Sequence, residues 1–339
     1  MLPNRILIPK DYMQIAVQVA MENFGKTGVN PSVGAVIVQE NLVATGVTSI
    51  GGMPHAEVNA IANAKKLGMN LRKSTIFVTL EPCSHYGKTP PCAKAIVEAK
   101  IPNVFFGMYD PDLRVNGNGV KFLRENGVNV EFLPIDTITK LHGGYSTFKT
   151  KNRPFVTVKI ASSLDGKIAL ANGESKWITS QNARIYTNFL RSKFDGILVG
   201  ANTVRTDSPK LDCRIEGLKM LSPKKFVASR NIASTQNFDG YINVQGAIEE
   251  ILLQIKENGV QNLLIEGGAN LVTQFLKANL FDELILVQAP IFLGNDSKNA
   301  IENLELNQIP SINLELKSQK YFDGNSVRIF SNNSLDMPA

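Results

Sequence analysis

Two short segments, Pro54-His55-Ala56-Glu57 and Glu81-Pro82-Cys83 running on to Cys92, set the tightest limit on what this chain can fold into. Their side chains make chemical sense only if the fold brings them to one point. His55, Cys83 and Cys92 form a zinc-ligand set that leaves the fourth position open, as catalytic zinc requires. Glu57, two residues beyond the ligand histidine, reads as an acid/base carboxylate and not as a ligand. Two thiolates and a neutral imidazole leave such a centre close to neutral. Zinc still lowers the pKa of bound water from about 15.7 to about 7, roughly 12 kcal/mol of differential stabilisation. Hydroxide then exists at neutral pH as a nucleophile, and Glu57 is placed to take the water's proton and hand it on. A structural zinc knuckle would want a fourth ligand, and nearby only His85 offers one.

The local patterns suit a site at strand ends. Asn30 to Val38 reads as a turn entering a buried strand, and Ser74 to Leu80 as a second apolar, β-branched strand that delivers Glu81-Pro82-Cys83 at its carboxyl end. Pro54 and His55 open a helix predicted over Ala56 to Lys66, with Val58, Ile61 and Ala62 at helical spacing. A further helix is expected over Ala93 to Lys100, directly after Cys92. A ligand histidine followed by Glu, then Pro-Cys and a second Cys, resembles the zinc deaminases of nucleobases. RNA and cytidine deaminases hold their two cysteines two residues apart, whereas eight residues intervene here, His85, Lys88 and Thr89 among them. That insertion, stiffened by Pro90-Pro91 beside the metal ligands, reads as a holder for a phosphorylated substrate, the alternative being a polar surface loop.

At 339 residues the chain is too long for one ordinary core and suits two domains. A hydrophobic content of 43% with 19% charged residues describes a globular protein, and no apolar run reaches membrane-spanning length. The N-terminus carries no secretory pattern, and of three cysteines Cys213 is left unpaired, so a reducing cytoplasm is expected. The net charge of +6 comes from short pairs such as Lys65-Lys66 and Lys224-Lys225, which read as solvated surface and not as a nucleic-acid stripe. The boundary is placed near the polar stretch 146–153, before strands resume at Phe155, giving expected domains of 1–147 and 148–339.

Residues 11–145 resemble the deaminase half of the bifunctional riboflavin-biosynthesis deaminase–reductases. The resemblance rests on Asn30-Pro31-Ser32-Val33-Gly34, Pro54 to Val58, the twelve residues Glu81 to Cys92, and Asp110-Pro111. From Arg153 onward the chain is similar to the reductase half, whose fold is like dihydrofolate reductase. Here the matching text is Arg153 to Val156, Ser163 to Lys167, Ser175-Lys176-Trp177, Asp195 to Gly200, Asp207 to Leu211, and Leu264 to Leu271. The fold class implied is α/β throughout: a cytidine-deaminase-like three-layer α/β/α domain followed by a dihydrofolate-reductase-like α/β domain.

Several segments of the second half carry physical meaning of their own. Leu263 to Glu266 reads as a buried strand, Gly267-Gly268 permits close backbone approach, and Asn270 to Ala278 is an amphipathic helix. Strand, glycine turn and helix start make a phosphate-binding corner or a tight structural turn. No G-x-G-x-x-G follows a strand, so a Rossmann domain is not indicated. Trp177, the only tryptophan, is a core residue or a cofactor contact. The resemblance implies that Ala161, Ile168, Trp177, Thr203, Asp207, Ser229 and Gly268 contact NADPH. It implies that Ser175, Arg191, Leu211, Arg214 and Glu266 contact substrate. Ser229-Arg230, after the strand Lys225 to Ala228, is a binder of the cofactor's 2′-phosphate or a simple turn.

Four positions depart from the family pattern: Thr48 where a substrate-facing histidine is usual, Leu113 where proline is common, and Ser180 and Asn202 where glycine is common. Asn202 is expected to be tolerated because asparagine adopts left-handed backbone readily. The resemblance implies zinc-dependent deamination of 2,5-diamino-6-ribosylamino-4(3H)-pyrimidinone 5′-phosphate. NADPH-dependent reduction of the ribosyl group then gives 5-amino-6-(5-phosphoribitylamino)uracil. It implies one zinc per chain, a small phosphorylated pyrimidine as partner, no nucleic acid or membrane, and self-association into a homo-oligomer. The competing reading is a tRNA or single-stranded DNA base deaminase with an accessory binding domain.

Overall fold

The computed structural model describes residues 7–87, 89–229, 238–304 and 312–333. The chain divides into two compact units, Met1–Asn152 and Arg153–Ala339. The division expected at 147/148 falls inside a helix that runs to Thr150, and the units meet a few residues later.

The first unit begins with helix α1 (Pro9–Ala20) and the antiparallel strands β1 (Gly34–Gln39) and β2 (Leu42–Val47). Helix α2 (Ala56–Lys66) leads to β3 (Thr75–Val78), α3 (Cys92–Glu98), β4 (Asn103–Phe106), α4 (Asn118–Glu125), β5 (Asn129–Phe132) and α5 (Asp136–Thr150). Among the described residues the sheet runs β2-β1-β3-β4-β5, with β3, β4 and β5 parallel. Side chains alternate across a strand, and here the alternation sorts two cores. Ala35, Ile37, Ile76 and Val78 face Ala60 and Ala64 of α2, Ile96 of α3 and Leu123 of α4. Val36 and Phe77 face the other way, onto Met13 and Val17 of α1 and Ile138 and Leu141 of α5. The result is the three-layer α/β/α arrangement expected from the sequence.

α2 lies against β2 at backbone distance. A Cβ on Gly46 would stand 2.3 Å from both the Ala56 carbonyl oxygen and the Ala60 nitrogen, so only glycine allows this seat. The predicted span of α2 is the observed one, whereas β3 is shorter than the predicted 74–80.

The second unit contains β6 (Phe155–Ser162), β7 (Lys167–Ala169), α6 (Gln181–Arg191), β8 (Gly196–Gly200), α7 (Ala201–Asp207), β9 (Lys224–Ser229) and β10 (Ile242–Gln245). It continues with α8 (Ile248–Glu257), β11 (Asn262–Ile265), α9 (Ala269–Lys277), β12 (Glu283–Gln288), β13 (Lys298–Asn299), β14 (Leu314–Phe322) and β15 (Asn325–Asn332). Among the described residues the main sheet runs β10-β9-β8-β11-β6-β12-β15-β14, parallel as far as β12 and antiparallel beyond it. β7 and β13 pair separately as a short antiparallel ribbon. Val156, Val158, Leu263 and Ile265 pack under α8 and α9, whereas Ile197, Val199 and Val227 pack under α7 and Ile285 and Val287 under α6.

Candidate functional site

Strand ends and helix starts bring the three ligands of the first unit together. His55 is the N-cap of α2, Cys92 is the first residue of α3, and Cys83 follows the end of β3. His55 Nδ1 lies 3.3 Å from Cys92 Sγ and 3.7 Å from Cys83 Sγ, and all three ligand atoms lie within 4.8 Å of one another. Tetrahedral zinc, with bonds of about 2.0–2.1 Å to nitrogen and 2.3 Å to sulfur, sets nitrogen and sulfur about 3.6 Å apart. The observed spacings bracket that value. His85 is not part of the cluster, which leaves three protein donors among the described residues.

The donor chemistry agrees. Hydrogen bonds from Cys92 and His55 hold the Cys83 thiol at about 4 against the effect of burial. Cys92 is pushed up by its hydrogen bond with Cys83 and by burial. The pair therefore shares one proton, the arrangement that a divalent cation replaces with two thiolates. The Cys92 amide donates to Cys83 Sγ at 3.3 Å, a further anchor for that sulfur. Glu57 is 4% exposed, on the first turn of α2. Burial, and then the charge at Cys83, raises its carboxyl to about 7, where it both accepts and releases a proton near neutrality.

Glu81 carries no role in the sequence reading, yet it fixes the geometry. Its Oε1 accepts from the amides of Gly119 at 2.9 Å and Val120 at 3.1 Å, and its Oε2 from Gly117 at 2.9 Å and Asp110 at 3.3 Å. This buried carboxylate caps the start of α4 and ties it to the Cys83 loop. A Cβ on Gly119 would stand 2.0 Å from the Pro82 carbonyl oxygen, so α4 touches the residue before the ligand. Sequence alone offered no signal for this, because the donors lie almost forty residues away.

Thr48 faces inward. It is 1% exposed, and its hydroxyl accepts from the Val33 amide at 3.0 Å. Ser180 turns the second departure into a helix cap, accepting from the Ala183 amide at 3.2 Å. Asn202 lies within α7 and has no positive φ, so left-handed backbone is not the reason it is accommodated. Leu113 is 85% exposed.

In the second unit a cleft of about 1380 Å³ opens where the parallel strands end, at Ala161, Gly200, Ser229 and Glu266-Gly267-Gly268. Ligands of open parallel sheets bind at this edge. Of the expected cofactor residues, Ala161, Ile168, Trp177, Thr203, Asp207, Ser229 and Gly268 all line it. Of the expected substrate residues, Ser175, Arg214 and Glu266 line it, and Arg191 and Leu211 do not. Arg191 stands behind Glu266, donating to its two oxygens at 2.9 and 3.0 Å. Leu211 is 4% exposed and packs with Val199 and Val227. Gly268 is the N-cap of α9, and a Cβ there would lie 3.6 Å from Thr203 Oγ1. Arg230 and Lys88 lie outside the described residues.

Lys159 was missed by the sequence reading. Its Nζ lies 3.4 Å from Glu266 Oε2, and burial, which alone would raise the Glu266 carboxyl, is overcome by Lys159 and Arg191, holding it at about 2. A signal was available: Lys159 is a cation inside the apolar run of β6, at the parity opposite Val158 and Ile160.

Comparison with known proteins fits each unit to a class. Residues 8–108 match the family described as the cytidine and deoxycytidylate deaminase zinc-binding region, and residues 154–327 match the RibD C-terminal domain. The chain is thus a two-domain enzyme, a zinc deaminase followed by a reductase. It is 35% identical over 317 residues to the riboflavin biosynthesis protein RibD of Aquifex aeolicus, covering 85% of this chain and 88% of that one. It is 35% identical over 352 residues to RibD of Bacillus amyloliquefaciens, covering 90% and 94%. A crystal structure of the diaminohydroxyphosphoribosylaminopyrimidine deaminase/5-amino-6-(5-phosphoribosylamino)uracil reductase of Thermotoga maritima superposes with a TM-score of 0.87 at 31% identity, covering 95% of this chain and 98% of that one. Acinetobacter baumannii RibD superposes at 0.84 with 31% identity and the same coverage. The chain belongs to the RibD family of riboflavin biosynthesis proteins. No helix among the described residues is long and apolar enough to cross a membrane.

Proposed function

We propose that the first unit hydrolytically deaminates 2,5-diamino-6-ribosylamino-4(3H)-pyrimidinone 5′-phosphate. The second then reduces the product's ribosyl group with NADPH to give 5-amino-6-(5-phosphoribitylamino)uracil. The observation that carries this reading is the His55, Cys83 and Cys92 cluster at tetrahedral spacing, with the buried Glu57 beside it, in one chain with the strand-end cleft.

Zinc held by these three residues supplies Lewis acidity that makes water a nucleophile at neutral pH. Glu57 takes one proton from the water at its carboxylate and delivers it to the pyrimidine ring nitrogen. It then takes the proton of the newly formed C–OH group and passes it to the departing amine, so that water's two protons end on the ring and on ammonia. In the second unit NADPH supplies the hydride. Gly268, at the start of α9, lets the cofactor's phosphates approach backbone amides, while Thr203 and Asp207 line the same cleft. Arg214 and Ser175 offer donors to the sugar phosphate. Lys159 and Arg191 hold Glu266 ionised, fixed and ready to accept a substrate hydroxyl. The cytoplasm is the proposed setting, consistent with the buried, unpaired Cys213, and self-association is the proposed state, which light scattering measures directly.

The deciding experiment supplies purified protein with zinc, the diaminopyrimidine ribotide and NADPH, following ammonia together with absorbance of the reduced nicotinamide. Equal amounts of ammonia released and NADPH consumed are expected. Ammonia from tRNA or single-stranded DNA, and none from the ribotide, overturns the reading in favour of a nucleic-acid deaminase.

A further inference from the structure

Trp177 is unusual in three ways at once. It is the only tryptophan of the chain, it is 74% exposed, and its backbone sits at φ 71°, a left-handed conformation that bulky side chains avoid. Holding a large aromatic residue there is costly, so its surroundings must fix it. Arg184, on the first turn of α6, does so. Its guanidinium carbon lies 4.2 Å from the centroid of the indole, and its Nη1 donates to the Thr179 carbonyl, which fixes the angle of the planar cation. The root of that arginine is itself anchored, because Ser180 caps α6 and donates through its hydroxyl to the Phe322 carbonyl at 3.2 Å. Both Trp177 and Arg184 line the strand-end cleft.

We propose that Arg184 is a positioning residue of the reductase, backing the indole of Trp177 so that it stands as a one-sided stacking platform for a planar ring of the dinucleotide. A ring covered on one face by a flat guanidinium is stiff, and its other face is left for a ligand. Stiffness matters because a platform already in place spares the cofactor the entropy of ordering it. A lysine would keep the charge but cannot lie flat on the ring, so the proposal separates stacking from simple attraction. The inference rests on NADPH being the cofactor of this unit.

The sole tryptophan makes the test direct. In the cofactor-free protein, Arg184→Met should lower the fluorescence anisotropy of Trp177 and raise its quenching by iodide. NADPH binding, read as energy transfer from Trp177 to the reduced nicotinamide, should weaken by about 2- to 30-fold, the worth of a cation–π contact. The KM for NADPH should rise with kcat changed less, and zinc-dependent deamination by the same molecule should be unaltered. Arg184→Lys should resemble Arg184→Met, and it carries the comparison if the methionine variant does not fold. Unchanged anisotropy and quenching would show that Arg184 does not hold the ring. Loosened Trp177 with unchanged NADPH affinity, or full recovery by Arg184→Lys, would equally overturn the proposal. If wild-type protein binds no NADPH at all, the cofactor assignment fails instead, a result separate from any behaviour of the variants.

Discussion

Replacing Glu81 by glutamine should weaken zinc binding although Glu81 touches no metal ligand side chain. Its carboxylate accepts four backbone amides, two on each oxygen, and it is 2% exposed. Glutamine keeps one oxygen and presents an NH2 group to the other pair of donors. Two charge-assisted hydrogen bonds are lost, worth about 1.5–3 kcal/mol each, so roughly 3–6 kcal/mol is removed from the junction between the Cys83 loop and α4. Part of that loss is relaxed by movement of α4, and the remainder displaces Pro82 and Cys83. Partners one shell beyond the metal typically change affinity by about 10- to 100-fold, and a loss of that size is expected here. The assay is competition with a chelator of known affinity, alongside deamination at saturating zinc and reduction of pre-deaminated substrate as the internal control. Zinc affinity within twofold of wild type would refute the reasoning, as would a parallel loss of reduction. Gly119→Ala, which pushes on the Pro82 carbonyl from the other side, should show the same pattern.

Cys83→Ser or Cys92→Ser should abolish zinc retention and deamination, because an alcohol is a poor substitute for thiolate, while reduction of deaminated substrate survives; loss of both activities in folded protein would contradict the assignment of one activity to each unit. Glu57→Gln should keep zinc and lose deamination by about 10²- to 10⁴-fold, measured as ammonia release, and loss of the metal instead would make Glu57 a ligand. His142 is buried against Thr79 Oγ1 at 3.1 Å, and burial lowers its pKa to about 3. The unfolded chain takes up that proton near pH 6.5, so between about 6.5 and 3 it binds more protons than the folded chain and stability falls as the pH falls. His142→Gln should flatten that fall, read by hydrogen exchange of the β3 amides; an unchanged slope would show that another group is responsible.

The metal centre was legible in the sequence because its chemistry is encoded by residue type at short spacing. His55 and Glu57 sit on one helix start, and Cys83 and Cys92 close one loop. The span of α2 was legible too, since its apolar spacing and the preceding Pro54 agree. What the sequence could not show were partners distant along the chain. Glu81 meets donors at 110–120, and Arg191 pairs with Glu266 from 75 positions away. Such pairings follow from strand order, here β8-β11-β6. The resemblance places Arg191 and Leu211 at the substrate; what the sequence could not show is that the first pairs with Glu266 and the second packs with Val199 and Val227. Asn202 was misjudged for a local reason: the position expected to call for left-handed backbone is the second residue of a helix.

Thr48 shows how a departure from a family pattern is absorbed. A histidine reaching toward substrate from that position would need its side chain free, yet Thr48 spends its hydroxyl on the Val33 amide while its own amide donates to the Val33 carbonyl at 2.9 Å. Asn23 adds a third tie, donating to the Thr48 carbonyl at 2.9 Å. The residue thus fastens the turn at Asn30-Pro31-Ser32 to the end of β2 and offers nothing to a ligand. The sequence offered a second candidate for holding the substrate in the first unit, the loop between the two cysteines. Its ends are tied where the Cys92 amide meets Cys83 Sγ and the Ala93 amide donates to the Cys83 carbonyl at 3.1 Å, so whatever it binds is held in fixed relation to the metal ligands. Exchange of Thr48 for histidine would therefore have to break the Val33 contact before it gained one to substrate, and the first effect would be a looser β2 end and not a tighter Michaelis complex.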